Sequence, residues 1–566
     1  MNEIRRFKNL GVHVDSSRNA VMSVPQLKLF MDRISKMGYN QLYLYIEDTY
    51  EIEGEPYFGH FRGRYSQAEL REIDDYAYSK GIEVIPTIQV LAHLNQIMQW
   101  PQYTKIRDID DSLLVGDEGT YELIDKMIAT MKKCFRTDKI HLGMDEPFRF
   151  CKGKYRDIHG EHDKIKVYVE HLCRVCEIAE KYELNPMVYG VEALLGLLTG
   201  TFIANNIRGE LPPIPEIIKE LLPKKIFGIL GDYNDDNDDC VEVLTKKIKW
   251  AQEIYGENNV GYIGGAWKWA SFAPRNELSI LNSRYGMEAC LKCGVDTYYT
   301  SLWGDDGSEA SPYSVLPTLV YTACYNQGID DMDEVKAKFL EWTGVEWDDF
   351  MLLDQLDHTP EFKLGFVVNQ SKYQLYNDCF MGKLDSMVAP YDASNYAKYA
   401  KEIEDAIPRA GEYKYVFDTL AKLSNLLALK SDAGIRTRKV YKSGDKAELE
   451  ALIEDYGEMV KRTEDLYEAM RVQWYTENKR HGFEVHDIRL GGLIMRLKDC
   501  KRILEDYRDG KIDNIPELEE ETLPFIDPAK KLPMSGVEVD GWVQKMTLGS
   551  WIQMVSTNIV YNKTYF

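Results

Sequence analysis

The chain has no long hydrophobic run, no cationic stretch and no paired cysteine framework. None of its 566 residues falls in a segment approaching the roughly 18 consecutive apolar residues that a membrane span requires, so no transmembrane anchor is expected. The N-terminal Met1-Asn-Glu-Ile-Arg-Arg-Phe-Lys8 lacks the apolar segment that follows the charges of a secretory leader, and a cytoplasmic location is the expectation. Lys and Arg number 69 against 92 Asp and Glu, a net charge of −23. That balance repels phosphate backbones and anionic lipids, so neither nucleic acid nor membrane is an expected partner. The ten cysteines fit reduced, unpaired thiols. Two Cys-x-x-Cys pairs, Cys173/Cys176 and Cys290/Cys293, lie in helical-looking sequence without ligand-spaced histidines. Buried helix thiols account for them better than zinc. His159 and His162 sit in a polar loop and make no better ligands. No metal and no organic cofactor is expected. No G-x-G-x-x-G turn follows the first strand, against a dinucleotide fold, and there is no low-complexity segment.

What is present is a regular alternation. The 44% hydrophobic content supports a large core, and the length implies two or three packed units. Strand patterns fall at Leu10–Asp15, Gln41–Ile46, Glu83–Gln89, Lys139–Leu142, Met187–Gly190, Ile226–Leu230, Gly261–Gly265 and Thr297–Leu302. Helical patterns separate them: Val24–Gly38, Gln67–Lys80, Thr120–Phe135, Asp163–Tyr182, Pro215–Leu222, Val241–Tyr255, Leu278–Lys292 and Val315–Asn326. Ser23 and Ser66 stand at helix starts, and Gly38, Gly81 and Gly294 at helix ends. Eight strands each followed by a helix predict an α/β fold, a (β/α)8 TIM barrel over residues 1–330. Residues 331–566 predict an all-α C-terminal domain with helices such as Tyr396–Ala406, Tyr413–Ser431 and Lys446–Trp474. Asp513–Pro524 reads as a linker or extended wrap, and Gly541–Tyr565 as an edge strand.

The strand ends carry the chemistry. Lys139-Ile-His-Leu-Gly-Met-Asp-Glu146 runs an apolar strand into two adjacent carboxylates, with Gly143 expected to let a substrate approach the backbone. Neighbouring acids repel, which raises one pKa and suits a proton-donating Glu beside an ionised Asp. The other ends offer Asp15-Ser-Ser-Arg18, Glu47-Asp48, His93, Tyr189, Asp232-Tyr-Asn-Asp235, Trp267-Lys-Trp269 and Trp303-Gly-Asp305-Asp306. Taken singly, each aromatic suits packing. Together on one rim, flat rings with interleaved acids and one arginine suit a pyranose.

On Asp15-x-x-Arg18, Tyr45-Ile-Glu-Asp48, His141-Leu-Gly-Met-Asp-Glu146, Tyr233-Asn-Asp235, Trp303-Gly-Asp305 and Asn478-Lys-Arg-His-Gly-Phe-Glu-Val-His-Asp-Ile-Arg489, the chain resembles glycoside hydrolase family 20, the β-N-acetylhexosaminidases. The likeness is to the compact bacterial branch and to hexosaminidase D, in which the barrel begins almost at the N-terminus. The resemblance implies exo-cleavage of terminal β-linked N-acetylglucosamine, with N-acetylgalactosamine as a second sugar, by a retaining mechanism in which the substrate's acetamido oxygen is the nucleophile. Glu146 is then the acid and base, Asp145 the partner of the acetamido N–H, and Tyr233 the donor to its oxygen. Arg18, His93, Tyr189, Asp235, Trp267, Trp303 and Asp305 are the implied substrate-binding residues. The implied partner is a small-molecule glycan, and a homodimer is the preferred assembly, although the helical domain could serve only to buttress the barrel. Thr87 stands where the family usually has Glu, Leu91-Ala92 where it has Pro-Gly, and Tyr189 where much of it has Trp. Open alternatives are a sulfated or disaccharide substrate, or a carbohydrate-binding barrel without turnover.

Overall fold

The computed structural model describes residues 5–200, 208–233, 237–357, 369–525, 533–534, 537–538 and 551–556. Eight parallel strands close a barrel in sequence order: β1 Asn9–Asp15, β2 Gln41–Tyr45, β3 Glu83–Thr87, β4 Lys139–His141, β5 Asn185–Val188, β6 Phe227–Gly231, β7 Val260–Gly265 and β8 Thr297–Leu302. β1 closes the ring, with Val12 in register with Leu42 on one side and Thr300 on the other. The strands are almost wholly buried because each has the barrel interior on one face and a helix on the other. Inward residues Tyr43, Ile85, Met187, Ile229, Ile263 and Tyr299 fill the interior, so the barrel is a packed core and not a pore. Tyr43 and Tyr299 stack at 3.9 Å. Gly11 makes room for them, since a Cβ there would lie 2.8 Å from the Tyr43 ring.

The helix-end signals act by different means. Ser66 forms a full capping box with Glu69. Ser23 has the extended N-cap backbone but no side-chain cap bond. Gly38 and Gly294 adopt the left-handed C-cap conformation. Some helices escape the sequence pattern, among them the short Lys154–His159, where a polar loop was expected around His159, and one after β5. Residues 189–190 do not extend β5, because Gly190–Thr199 turns straight into a helix whose Leu-rich sequence shows no polar face.

Beyond the barrel the described residues are mainly helical, dominated by Asp392–Ala406, Lys414–Lys430, Lys446–Glu477 and Glu484–Arg508. This region packs against the barrel: Arg33 donates to Tyr413 Oη at 2.7 Å, and Lys479 pairs with Glu69 at 2.9 Å. The 513–524 segment wraps the helical region, with buried Ile515 and Leu518, a short Pro516–Glu519 helix, and Arg438 donating to the Glu520 carbonyl at 2.9 Å. The expected edge strand at 541–565 is corrected where it is described. Trp551–Val555 is helical, placing Met554 in the core, and the rest of that stretch lies outside the described residues. All ten cysteines are free, and both Cys-x-x-Cys pairs lie on helices. No helix among the described residues is long and apolar enough to cross a membrane.

Two glycine substitutions separate packing from backbone entropy. Gly11→Ala forces a methyl between Tyr43 and Tyr299 and should destabilise by about 1–3 kcal/mol. Gly492→Ala, in the interior of Glu484–Arg508 with open space around it, should stabilise by about 0.5–1 kcal/mol. Denaturant midpoints followed by circular dichroism should move in opposite directions.

Candidate active site

Nine of the ten residues expected at the site line a single cavity of about 200 Å3 at the C-terminal ends of the strands: Arg18, His93, Asp145, Glu146, Tyr189, Tyr233, Trp267, Trp303 and Asp305. The tenth, Asp235, lies outside the described residues. A larger cavity of about 570 Å3 opens at the other end of the barrel. Several of its polar groups are bonded to one another, as in Asn9 to Thr297 at 2.9 Å and Asn185 to Asp138 at 3.0 Å, which suits the stability face of such a barrel.

The loops that shape the site are strained. Asn19, Glu47, His93, Met144, Glu146 and Ser308 all have positive φ without being glycine. Such conformations cost about 1–3 kcal/mol each and persist only where surrounding contacts enforce them. At Met144 the enforcing contact is Gln89, whose Oε1 accepts the Met144 N–H at 3.0 Å. Its Nε2 donates to Asp145 Oδ1 at 2.6 Å and to Tyr45 Oη at 2.9 Å. Gly143 belongs to the same lock. A Cβ there would lie 2.2 Å from Gln89 Oε1, so the glycine admits Gln89 and not, as expected from sequence, a substrate.

Asp145 and Glu146 are held in opposite states. Burial works to raise the Asp145 pKa, but His93 and the bonds from His93 and Gln89 outweigh it and hold the carboxylate well below its usual range. His93 Nε2 lies 3.3 Å from Asp145 Oδ2 and 3.7 Å from Glu146 Oε2. The acids around His93 raise its pKa to about 9 against its own burial. Arg18 Nη2, at 3.3 Å from Nδ1, can act only as a donor and favours a ring bare at that nitrogen. Nε2 thus faces both carboxylates as an ion-pair partner. These three side chains could geometrically surround a cation. Glu146 lacks such donors. Burial first, then the charges of Asp145 and Asp305, lift it to about 7 despite His93 and Arg18.

Tyr233 and Trp303 form the opposite wall. Trp303 Nε1 donates to Tyr233 Oη at 3.0 Å, which leaves the tyrosine's own proton available to another acceptor. Trp303 packs on His13 at 4.4 Å and meets Tyr45 edge-on at 5.0 Å. Trp267 and Trp269 stack at 4.2 Å, and Trp267 Nε1 anchors the Tyr233 carbonyl at 2.9 Å. Tyr189, at the start of the helix Gly190–Thr199, packs on His141 at 4.0 Å and is buried. Asp232 turns instead to Lys247, 2.6 Å away in a buried pair. At the other rim Arg18 Nη2 lies 3.4 Å from Glu47 Oε1, and the exposed Asp305 lines the same cavity.

Sequence reasoning overlooked three contributors. Gln89 stood at the end of the expected third strand with no role assigned, and its function emerges only when the loops after β3 and β4 meet. Glu47 was noted among the rim acids but not as a site residue; it accepts from Tyr45 at 2.7 Å and partners Arg18. Glu192 lies in the first turn of the unexpected helix Gly190–Thr199 and lines the cavity. Burial, with the charges of Glu146 and Asp145, pushes its carboxyl well above the usual range. An acid placed four residues past the end of β5, inside an otherwise apolar run, was the available signal.

Comparisons with known proteins agree with this arrangement. The glycosyl hydrolase family 20 catalytic domain matches residues 7–172, and the glycoside hydrolase 20C C-terminal domain matches residues 348–535. Beta-hexosaminidase 3 of Arabidopsis thaliana is 28% identical over 155 residues, 26% of this chain and 29% of that protein. Human hexosaminidase D is 24% identical over 247 residues, 42% of this chain and 47% of its own length. The chain thus spans less than half the length of these curated relatives. Among solved structures, the N-acetyl-β-hexosaminidase of Streptomyces plicatus in complex with Thio-NAglucal covers 60% of this chain and 70% of its own, at 17% identity and a TM-score of 0.42. With a family model on the barrel, a second on the helical region and the acid pair at the end of β4, the chain belongs to glycoside hydrolase family 20.

Proposed function

We propose that this protein is an exo-β-N-acetylhexosaminidase that removes terminal non-reducing β-linked N-acetylglucosamine, and N-acetylgalactosamine as a second sugar, with retention of configuration. The observation that carries the reading is the adjacent pair Asp145 and Glu146, one kept ionised and the other kept protonated near neutrality. Glycosidases that supply both catalytic carboxylates place them about 5–9.5 Å apart across the sugar. Consecutive acids at one strand end cannot span a ring in that way, which supports a nucleophile carried by the substrate.

In this mechanism Glu146 gives its proton to the leaving oxygen as the acetamido oxygen attacks the anomeric carbon. The carboxylate of Asp145 accepts the acetamido N–H and offsets the positive charge of the oxazolinium-like intermediate. The free proton of Tyr233 orients the acetamido oxygen for attack. Glu146, now a carboxylate, removes a proton from the water that opens the intermediate, which restores both groups. The small volume and aromatic walls of the cavity favour a single terminal sugar. Its acid-rich lining, with Arg18 already engaged by Glu47, favours a neutral sugar over a sulfated one. The branch implies a homodimer, and sedimentation of the intact chain tests that.

Glu146→Gln should lower kcat by about 10²–10⁴-fold while binding of N-acetylglucosamine persists, since only proton transfer is lost. A chromogenic N-acetylglucosaminide assay with calorimetric binding checks both; near-normal turnover would remove the acid from its role.

The pH profile follows from the charges. Glu146 must be protonated to act, so kcat/KM should fall as pH rises through about 7. His93 holds that carboxyl down. His93→Gln keeps an N–H for Asp145 but removes the positive charge, and the alkaline limb should move to higher pH at reduced kcat. An unmoved limb would show that His93 does not govern Glu146.

The identity of the nucleophile is decided by inhibitor and substrate chemistry. A thiazoline analogue of the cyclised intermediate should bind far more tightly than the product sugar, and Asp145→Asn should weaken it disproportionately. A β-glucoside, with a plain 2-hydroxyl, should be almost inert. Rapid glucoside cleavage, or a covalent sugar ester on any carboxylate, would overturn the substrate-assisted reading.

A further inference from the structure

The segment 473–489, most of which is the conspicuous Asn478–Arg489 motif, does not line the cavity, yet it touches two of the loops that shape it. Glu477 joins both. Its carbonyl accepts the Ser23 N–H at 3.0 Å, on the loop that follows Arg18, and its buried carboxyl accepts the Ser311 hydroxyl, on the loop that carries Asp305. On the first side, Lys479 N donates to the Val21 carbonyl at 2.8 Å. Gly482 lies so close that a Cβ would come within 2.4 Å of the Asn19 carbonyl, with Asn19 itself at φ 70°.

On the second side the carbonyls of Asp306, Gly307 and Glu309 are met by the helical domain, while the Gly307 and Ser308 N–H groups bond within the loop. Arg489 Nη1 donates to the Asp306 carbonyl and to Glu309 Oε1, and Nη2 to Asp306 Oδ1, each at 2.9 Å. His486 Nε2 donates to the Gly307 carbonyl at 3.1 Å, and Gln473 to the Glu309 carbonyl at 3.0 Å. Lys372, from a neighbouring helix, adds a bond to the Asp306 carbonyl at 3.0 Å and an ion pair with Glu309. Glu309, Lys372 and Arg489 are all buried, so each depends on the others for its charge balance. The barrel's own hold on this loop includes the bond from Gly304 N to Asp15 at 2.9 Å.

We propose that residues 473–489 of the helical domain are the positioning element of the sugar-hydroxyl subsite: they fix the separation of Arg18 and Asp305 and so set which ring hydroxyls the enzyme accepts. This rests on the reading that Arg18 and Asp305 bind ring hydroxyls. Loops held from one rigid helix pair cannot drift apart independently, whereas Asp145 and Glu146 are locked from β3 and β4 through Gln89. Disturbing the segment should therefore loosen sugar recognition and leave proton transfer in place.

The test compares Arg489→Met and Gln473→Met with Asp305→Ala, using β-N-acetylglucosaminide and β-N-acetylgalactosaminide substrates. Arg489→Met should raise KM by roughly ten- to a hundred-fold, the scale of a misplacement of up to 1 Å. It should narrow the preference between the two epimers and change kcat for the better epimer far less than KM. Gln473→Met, which strands no charge, should do the same to a smaller degree and remains informative if Arg489→Met fails to fold. Unchanged KM and epimer preference in the folded variants, or losses confined to kcat, would overturn the proposal. If Asp305→Ala raises KM while Gln473→Met and Arg489→Met do not, the positioning role alone falls. If Asp305→Ala leaves KM unchanged, the hydroxyl-binding reading falls and takes the proposal with it.

Discussion

Gln89 is the side chain on which the catalytic geometry depends. An amide offers one acceptor and two donor hydrogens, and here all have partners: the Met144 N–H, Asp145 and Tyr45. The Met144 bond fixes which way the amide points, and the donors then face Asp145 as a consequence. Tyr45 passes the connection to Glu47, which partners Arg18. A continuous set of polar contacts, hydrogen bonds as far as Glu47 and then an ion pair, therefore runs from Asp145 to Arg18 through the loops after β2 and β3. In a buried site such a network stiffens the groups it joins, while Arg18 Nε has no hydrogen-bond partner among the described residues.

The opposite states of Asp145 and Glu146 follow from that asymmetry. Both carboxyls are pressed by burial toward neutrality, and each repels the other. Asp145 alone receives donors, from Gln89 and His93, and these outweigh desolvation. Glu146 receives none of comparable strength, and its own backbone is held at φ 45°. One residue of sequence separates an acid that stays ionised from an acid that keeps its proton. The division of roles arises from which loop supplies the hydrogen bonds, not from the acids themselves.

Much of this was legible before any coordinates. Eight apolar strand patterns gave the barrel, since buried strands with β-branched cores and polar ends differ sharply from the amphipathic helices between them. The acid pair after Gly143 stood out because strand ends are where such barrels place chemistry. What escaped depended on contacts distant in sequence. Gly143 looked like room for a ligand, and only the approach of the β3 loop shows the space filled by Gln89. Glu192 was hidden in Gly190–Thr199, where consecutive leucines give no helical periodicity because both faces of that helix are largely covered. The 551–555 tail read as strand on its β-branched and aromatic residues, and packing of Met554 into the core overrides that propensity.

The helical domain bears on the strain at the site. Positive φ recurs at Asn19 and Ser308, and Ser308 is held partly within its own loop, its N–H bonding the Gly304 carbonyl at 2.8 Å. Both lie beside the segment that ends at Arg489: Gly482 packs on the Asn19 carbonyl, and Arg489 and His486 bracket Gly307. At Met144 the same cost is offset from within the barrel, through Gln89. The two halves of the site are thus held from different sources: Asp145 and Glu146 by neighbouring strands through Gln89, and the loops bearing Arg18 and Asp305 in part by the helical segment 473–489. On the proposed reading, a change in that segment would alter sugar recognition and spare the acid pair.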